Sequence, residues 1–246
     1  MLSRYSFFNY LSVVYTTCIL LGTAILFFIS KGDILLQINS HHDKFQDHFF
    51  KNFTHLGDGL ILIPVLIFAL TIRYYYGLIL FVSGVLHGFA VLIFKKVLFT
   101  DAPRPTSYIS DPVILHFVDG VEVHSARSFP SGHTATAFVV AIFLSLIINK
   151  KSYSILFLGF AILVGYSRIY LLQHFYIDTL VGALIGTITV LFCWLVMVLW
   201  TPDHKILYLN EASLFKGTNR LKGITLISKE HSSRLFKKFF SGRNKF

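Results

Sequence analysis

The 246 residues are 54% hydrophobic and only 14% charged, with a mean hydropathy of +0.67, a balance that excludes an ordinary soluble domain and predicts a membrane protein. The formal net charge of +10 gathers at the ends of apolar runs and in the last fifth of the chain, so it reads as membrane topology and excludes a nucleic-acid footprint. Cys18 and Cys193 both fall inside apolar runs; they offer no metal or redox spacing and are read as buried thiols.

Six runs approach or exceed the roughly 20 residues that a spanning helix requires: 8–29, 60–75, 78–94, 132–148, 153–166 and 175–200. The predicted fold is therefore an all-α membrane protein, a bundle of six transmembrane helices. Residues 1–56 form an N-terminal anchor with an outer loop, 57–200 a core of five helices, and 201–246 a basic tail.

The first run follows Arg4 and is too long for a secretory leader, and no small-residue cleavage site precedes Lys31, so an uncleaved anchor is expected. With the N-terminus inside, Arg4, Arg73, Lys150, Lys151 and the ten Lys and Arg residues from Lys205 to Lys245 all face inward, which satisfies the positive-inside rule. This places both termini in the cytoplasm of a plasma (inner) membrane and turns residues 31–58, 100–130 and 168–174 to the outer, periplasmic or extracellular, face.

His41, His42, Asp43, Asp47 and His48 are read as a solvated loop or an interfacial helix over the outer mouth, because no second ligand cluster accompanies them. Asp58 can cap the turn that opens the second span, and Arg73 to Gly77 read as a tight inner hairpin with interfacial aromatics. His87, alone in the third span, is expected to hydrogen-bond a neighbouring helix.

Lys95 and Lys96 close the third span, and snorkelling to the head groups accounts for at least one of them. Arg104 stands between Pro103 and Pro105, which keep its backbone extended and out of a helix, so its guanidinium is offered from a stiffened loop. The stretch from Leu115 through His124 to Arg127 reads either as a head-group contact or as a solvated linker. Ser128 to Thr134 then open the fourth span: Pro130 stops any preceding helix, Ser131 is an N-cap, and Gly132 leaves the first turn bare. The free N–H groups of such a terminus bind anions, with His133 beside them.

Ser167 to Asp178 set an arginine, a histidine and an aspartate into one of the most apolar parts of the chain, where each costs several kcal/mol unless paired or hydrated. In a helix from His174 onward, His174 and Asp178 share a face, so the carboxylate fixes one imidazole nitrogen and leaves the other as base or nucleophile. Arg168 adds a planar fork of donors for phosphate or carboxylate. In the tail, Arg234 to Phe240 fit either an in-plane helix on anionic lipids of the inner leaflet or a basic segment that enforces topology.

Residues 57–200 resemble the type-2 phosphatidic acid phosphatase family, integral membrane lipid phosphatases whose site is shared with vanadium-dependent haloperoxidases. The second motif of that family stands as Pro130-Ser131-Gly132-His133, and the third runs from Ser167-Arg168 through His174 to Asp178 without a departure. The first, a lysine separated from Arg-Pro by six residues, is stretched here: Lys96 precedes Arg104-Pro105 by seven intervening residues, and Lys95 is the other candidate.

The resemblance implies that His174, oriented by Asp178, attacks phosphorus and forms a phosphohistidine. It further implies that His133 protonates the departing oxygen and then activates water, and that Lys96, Arg104, Arg168 and the backbone around Ser131 and Gly132 hold the phosphoryl oxygens. No carboxylate cluster calls for magnesium, so a metal-independent hydrolase without cofactor is expected, with a lipid phosphate as substrate and no nucleic-acid partner. Vanadate-dependent halide oxidation belongs to soluble relatives. A lipid-binding or transport protein would need the cations, but not an oriented nucleophile.

Overall fold

In the computed structural model, residues 2–109, 115–200 and 213–214 are described. They form nine α-helices, α1 (Leu2–Ile25), α2 (Lys31–Ser40), α3 (Lys44–Phe53), α4 (Leu62–Ile72), α5 (Tyr74–Ile93), α6 (Pro105–Tyr108), α7 (Gly132–Ile148), α8 (Lys151–Tyr170) and α9 (Tyr176–Trp200), joined by short 3-10 turns and one π-turn. The basic tail with its amphipathic stretch lies outside the described residues, apart from Ser213 and Leu214.

Each of the six apolar runs falls on helix. By length and composition four helices can cross a membrane, within α1, α5 with its π-turn, α8 and α9; a fifth crossing exists if Lys44–Gly57 and Gly59–Ile72 count as one span bent by 58°. The bend falls at Asp58, which accepts the Leu60 N–H at 3.0 Å and so caps the second half.

At 17 residues, α7 is about 26 Å long, short for the roughly 30 Å hydrocarbon core. It is the hub: α5, α8, α9 and the turn Thr54–Gly57 all pack on it, and the helix is apolar on nearly every side because nearly every side meets another helix. Ile142, Val139 and Phe143 are fully buried there. The closest approach is with α9. A Cβ placed on Gly182 would fall 2.4 Å from the carbonyl oxygen of Ser131, and one on Gly186 would fall 2.4 Å from that of Ala135. Glycine at these two positions lets the backbones meet, as small residues do in membrane helix pairs.

One local expectation needs correction, and the choice between loop and helix around His41 to His48 resolves to helix from Lys44 on. The turn between α4 and α5 is the single extended residue Arg73 (φ −158°, ψ 138°), and Tyr74 to Gly77 already belong to α5. Their rings are not interfacial: Tyr75 and Tyr76 are buried, with Tyr76 stacked on Trp194. Residues 31–53 are two capped helices, with Ser30 accepting from Asp33 N and Asp43 from Gln46 N. They pack on the end of α8: Phe50 lies against Tyr170 at 4.7 Å, and Asp47 accepts from the Tyr170 hydroxyl at 2.6 Å and pairs with His116 at 3.0 Å. His87 reaches Thr136 on α7 at 3.2 Å.

Candidate active site

At the end of the bundle covered by α2 and α3, four chain segments converge. The end of α8 sets the frame. Leu172 has φ 56°, a left-handed conformation in which glycine is the usual occupant, and the Gln173 N–H returns to the Arg168 carbonyl at 2.9 Å while the Leu172 N–H returns to Ile169 at 3.0 Å. This pair of bonds is the Schellman arrangement, and the His174 N–H adds a third at 3.2 Å to the same Arg168 carbonyl. His174 therefore stands in a tight turn before α9 and not inside a helix, a correction to the helical register expected for it.

The pairing survives that change. His174 Nδ1 lies 3.4 Å from Asp178 Oδ2, with both side chains buried. The same carboxylate oxygen accepts the Phe175 N–H at 2.9 Å and the Ser128 hydroxyl, so three donors hold it in place. Asp178 is thus the buttress of the turn as well as of the imidazole. Burial pushes the His174 imidazole well below its ordinary value; the hydrogen bond to Asp178 opposes this, and the nearby Arg168 and Lys95 cations add to the lowering. Its Nδ1 is the nitrogen that faces Asp178.

Ser131 caps α7 as its sequence required, its hydroxyl accepting from Thr134 N at 3.3 Å and from Thr134 Oγ1 at 2.9 Å. Its own N–H goes to the Asp178 carbonyl at 2.9 Å, which ties the start of α7 to the start of α9. The amide and hydroxyl of Ser131 are therefore occupied, and the first-turn amides of Gly132 and His133 are those that helix geometry leaves without an intrahelical acceptor. His133 is within electrostatic reach of Arg168, Asp58, Lys95 and His55, so it shares two cations with His174.

The cations differ in how firmly they are held. Arg104 is buried; its Nη1 donates to the Gln173 carbonyl at 2.9 Å and to Gln173 Oε1 at 2.8 Å, and its Nε to Ala126 O at 3.0 Å. Arg168 is also buried, with Nη1 donating to Thr54 Oγ1 at 2.7 Å, while its Nε is a buried donor with no partner among the described residues. An unpaired buried guanidinium N–H is costly, and an arriving oxyanion would relieve it.

Lys95 and Lys96 sit in the π-turn Phe94–Leu98, closed by Phe99 N–H to Phe94 O at 2.8 Å. Both border a cavity of 920 Å³ with Arg104, His124 and Arg127. Lys95 lies within electrostatic reach of Arg104, Asp178 and Arg168, so the structure brings it to the centre and leaves Lys96 on the wall of the mouth. Among the described residues no three metal-ligating side chains of the His, Cys, Asp and Glu kind converge.

Three participants escaped the sequence reading. Ser128 holds Asp178, Gln173 holds Arg104, and Thr54 holds Arg168. Ser128 stands two residues before one recognised motif and Gln173 lies inside another, which is the one signal they gave; Thr54, in a turn distant along the chain, gave none.

The sequence profile of the PAP2 superfamily matches residues 74–202. Over 65% of this chain and 92% of its own length, the crystal structure of Aquifex aeolicus LpxE is similar, with 34% identity and a TM-score of 0.58. A second crystal structure, of a transmembrane PAP2-type phosphatidylglycerolphosphate phosphatase from Bacillus subtilis, is similar over 75% of this chain and 94% of its own, with 26% identity and a TM-score of 0.52. The bacitracin transport permease protein BcrC of Bacillus licheniformis is 35% identical over 96 residues. That match takes in 37% of this chain and 44% of the permease, so the chain spans less than half the length of the curated relative.

Proposed function

The chain belongs to the PAP2 superfamily and is a multi-pass membrane protein, and from that footing we propose that it is a metal-independent phosphatase of lipid phosphates working through a phosphohistidine. The observation that carries the proposal is His174: a buried imidazole whose Nδ1 lies 3.4 Å from a carboxylate anchored by two further donors, beside Arg168, whose buried Nε has no partner among the described residues.

In the first step Nε2 of His174 forms a bond to phosphorus as the bond from phosphorus to the lipid oxygen breaks, and His133 gives that oxygen its proton. The cation formed on His174 is stabilised by Asp178. In the second step His133 takes a proton from water, the water oxygen bonds to phosphorus, and the P–N bond breaks to release phosphate and restore neutral His174. Arg168, Arg104 and Lys95, with the Gly132 and His133 amides, hold the phosphoryl oxygens as charge moves onto them. Ser131 serves through the turn it caps, and Lys96 meets the head group at the mouth.

The site faces outward in this reading, since Arg73, Lys150 and Lys151 stand at the starts of α5 and α8, opposite the ends that carry Lys95 and Arg168, and would mark the inner face. The deciding experiment is phosphate release by purified protein in detergent with chelator present, run beside His174→Ala on phosphatidic acid, phosphatidylglycerol phosphate and an isoprenyl pyrophosphate. Release that survives chelation and vanishes with His174 is expected. Release restored only by magnesium would overturn the mechanism. Lipid binding without release by the unaltered protein would point instead to binding or transport.

A further inference from the structure

The cavity at the mouth, 920 Å³ in volume, is on the scale of a site for a whole small ligand and exceeds what one phosphoryl group fills. Lys95 and Arg104 line it, and both lie within electrostatic reach of Asp178, so the space opens directly off the phosphoryl-binding cations. Beyond these two it is lined by Lys96, Arg127 and His124, with Asp101 as the carboxylate that opposes them. Lys96 and Arg127 are exposed, and neither forms an ion pair among the described residues. Arg168, Arg104, Lys95 and the first-turn amides of α7 already answer the charge of one phosphoryl group. Lys96 and Arg127 are surplus to it.

Arg127 is held at the mouth against its backbone preference. Its φ is 57°, in the left-handed region that side chains bearing a Cβ rarely adopt. Of the described non-glycine residues with such a φ, Asn149 ends α7, a usual place for asparagine, and Leu172 shapes the turn before His174. Bonds on both sides lock Arg127. Arg104 donates from its N–H to Ser125 O and from Nε to Ala126 O, each at 3.0 Å, and the Ser128 N–H donates to Ala102 O at 3.1 Å. Glycine or asparagine would meet that conformation at less cost, so the backbone does not account for an arginine here. Strain of this kind gathers where a ligand is clamped.

We propose that this cavity is a second anion subsite, in which Arg127 and Lys96 bind a phosphate of the substrate lipid other than the one that is cleaved. The assignment rests on the phosphatase reading for the place of the cleaved phosphate, at Arg104 and Lys95. It makes the preferred substrate a lipid with two phosphates in its head group, joined as a pyrophosphate or set apart by a glycerol. A guanidinium suits such a partner because its N–H donors pair with two oxygens at once.

The test compares matched lipids on the full chain in detergent: farnesyl pyrophosphate against farnesyl phosphate, and phosphatidylglycerol phosphate against phosphatidic acid. Arg127→Asn removes the charge but supplies a residue that tolerates the left-handed backbone, so the adjoining Ser128 keeps its place. The ratio of kcat/KM for the two-phosphate over the one-phosphate lipid is expected to fall about tenfold in Arg127→Asn and to recover in Arg127→Lys. Raising the salt should shrink the same ratio in the parent protein. A fall in the first pair identifies a pyrophosphate, and a fall in the second a phosphate set off by glycerol. Lys44→Gln, which removes an exposed cation of α3 outside the cavity, should leave both ratios unchanged.

Ratios that hold in Arg127→Asn for both pairs would overturn the subsite and leave Arg127 as a turn residue. Ratios that fall equally in Lys44→Gln would overturn it too, since any cation at this end would then act alike. Equilibrium binding of the same lipids to His174→Ala, with and without Arg127→Asn, separates the subsite from the mechanism. Selective loss of affinity for the two-phosphate lipid, with no lipid hydrolysed by the parent, would leave the subsite standing and defeat the phosphatase reading. Hydrolysis with unchanged ratios and affinities would do the reverse.

Discussion

Replacing Asp178 with asparagine removes a charge and little else. The amide oxygen can still accept from Phe175 N–H and the Ser128 hydroxyl, the two contacts that anchor the turn, so the fold should persist. What disappears is the field at His174. In the proposed intermediate His174 carries a full positive charge with Nδ1 at 3.4 Å from the carboxylate oxygen; at an effective dielectric of about 20 that attraction is about 5 kcal/mol. Only part of the charge has developed in the transition state, so about 3 kcal/mol is forfeited, roughly a hundredfold to a thousandfold in rate. Ser128→Ala keeps the charge and loses one positioning bond, for which about a tenfold loss is expected. Phosphate release under saturating and limiting lipid, together with thermal unfolding in the same detergent, separates the two effects. If Asp178→Asn retains kcat/KM within about threefold of the parent at an unchanged unfolding midpoint, the carboxylate is only a structural anchor and the account of His174 is wrong.

Further outcomes follow from the same geometry. Lys95→Ala should lower kcat/KM by about a hundredfold and Lys96→Ala by only a few-fold; the reverse order would return Lys96 to the centre. Because the folded-state value of His174 is depressed by burial, the unfolded chain takes up the proton first as pH falls, so stability is complete above about 6.5 and declines below it. The unfolding midpoint should therefore drop between neutral and mildly acidic pH, and His174→Phe should flatten that slope. Gly182→Ala drives a methyl group against the Ser131 carbonyl and should cost about 1–3 kcal/mol, read as a lower midpoint with reduced turnover; an unchanged midpoint would mean that α7 and α9 can part without penalty.

The sequence made the helices visible because lipid demands long apolar runs, and it made His133, Arg168, His174 and Asp178 visible because charged groups at such places are expensive. The cap at Ser131, the extended Arg104 and the bond from His87 to its neighbour were also legible, each following from a local rule. Other features depended on distance in space. Nothing in the neighbourhood of Thr54 announces a partner 114 residues away, and the choice between Lys95 and Lys96 turns on the phase of one helical turn. The tyrosines after Arg73 were misread as interfacial because aromatic residues near a turn obey two rules at once, and burial against Trp194 prevailed.

That phase has a wider consequence. A residue added to an ordinary α-helix swings everything beyond it by about 100°, which would carry a phosphate-binding lysine out of its site. The turn Phe94–Leu98, closed from residue 99 back to residue 94, holds one more residue per loop of chain than an α-turn does. It can take up an insertion within itself, so the distance along the chain from lysine to Arg-Pro is a poor ruler for what the lysine can reach. With two lysines side by side in such a turn, a cation stays within reach of the phosphate whether the motif is longer by one residue, counted from Lys96, or by two, counted from Lys95.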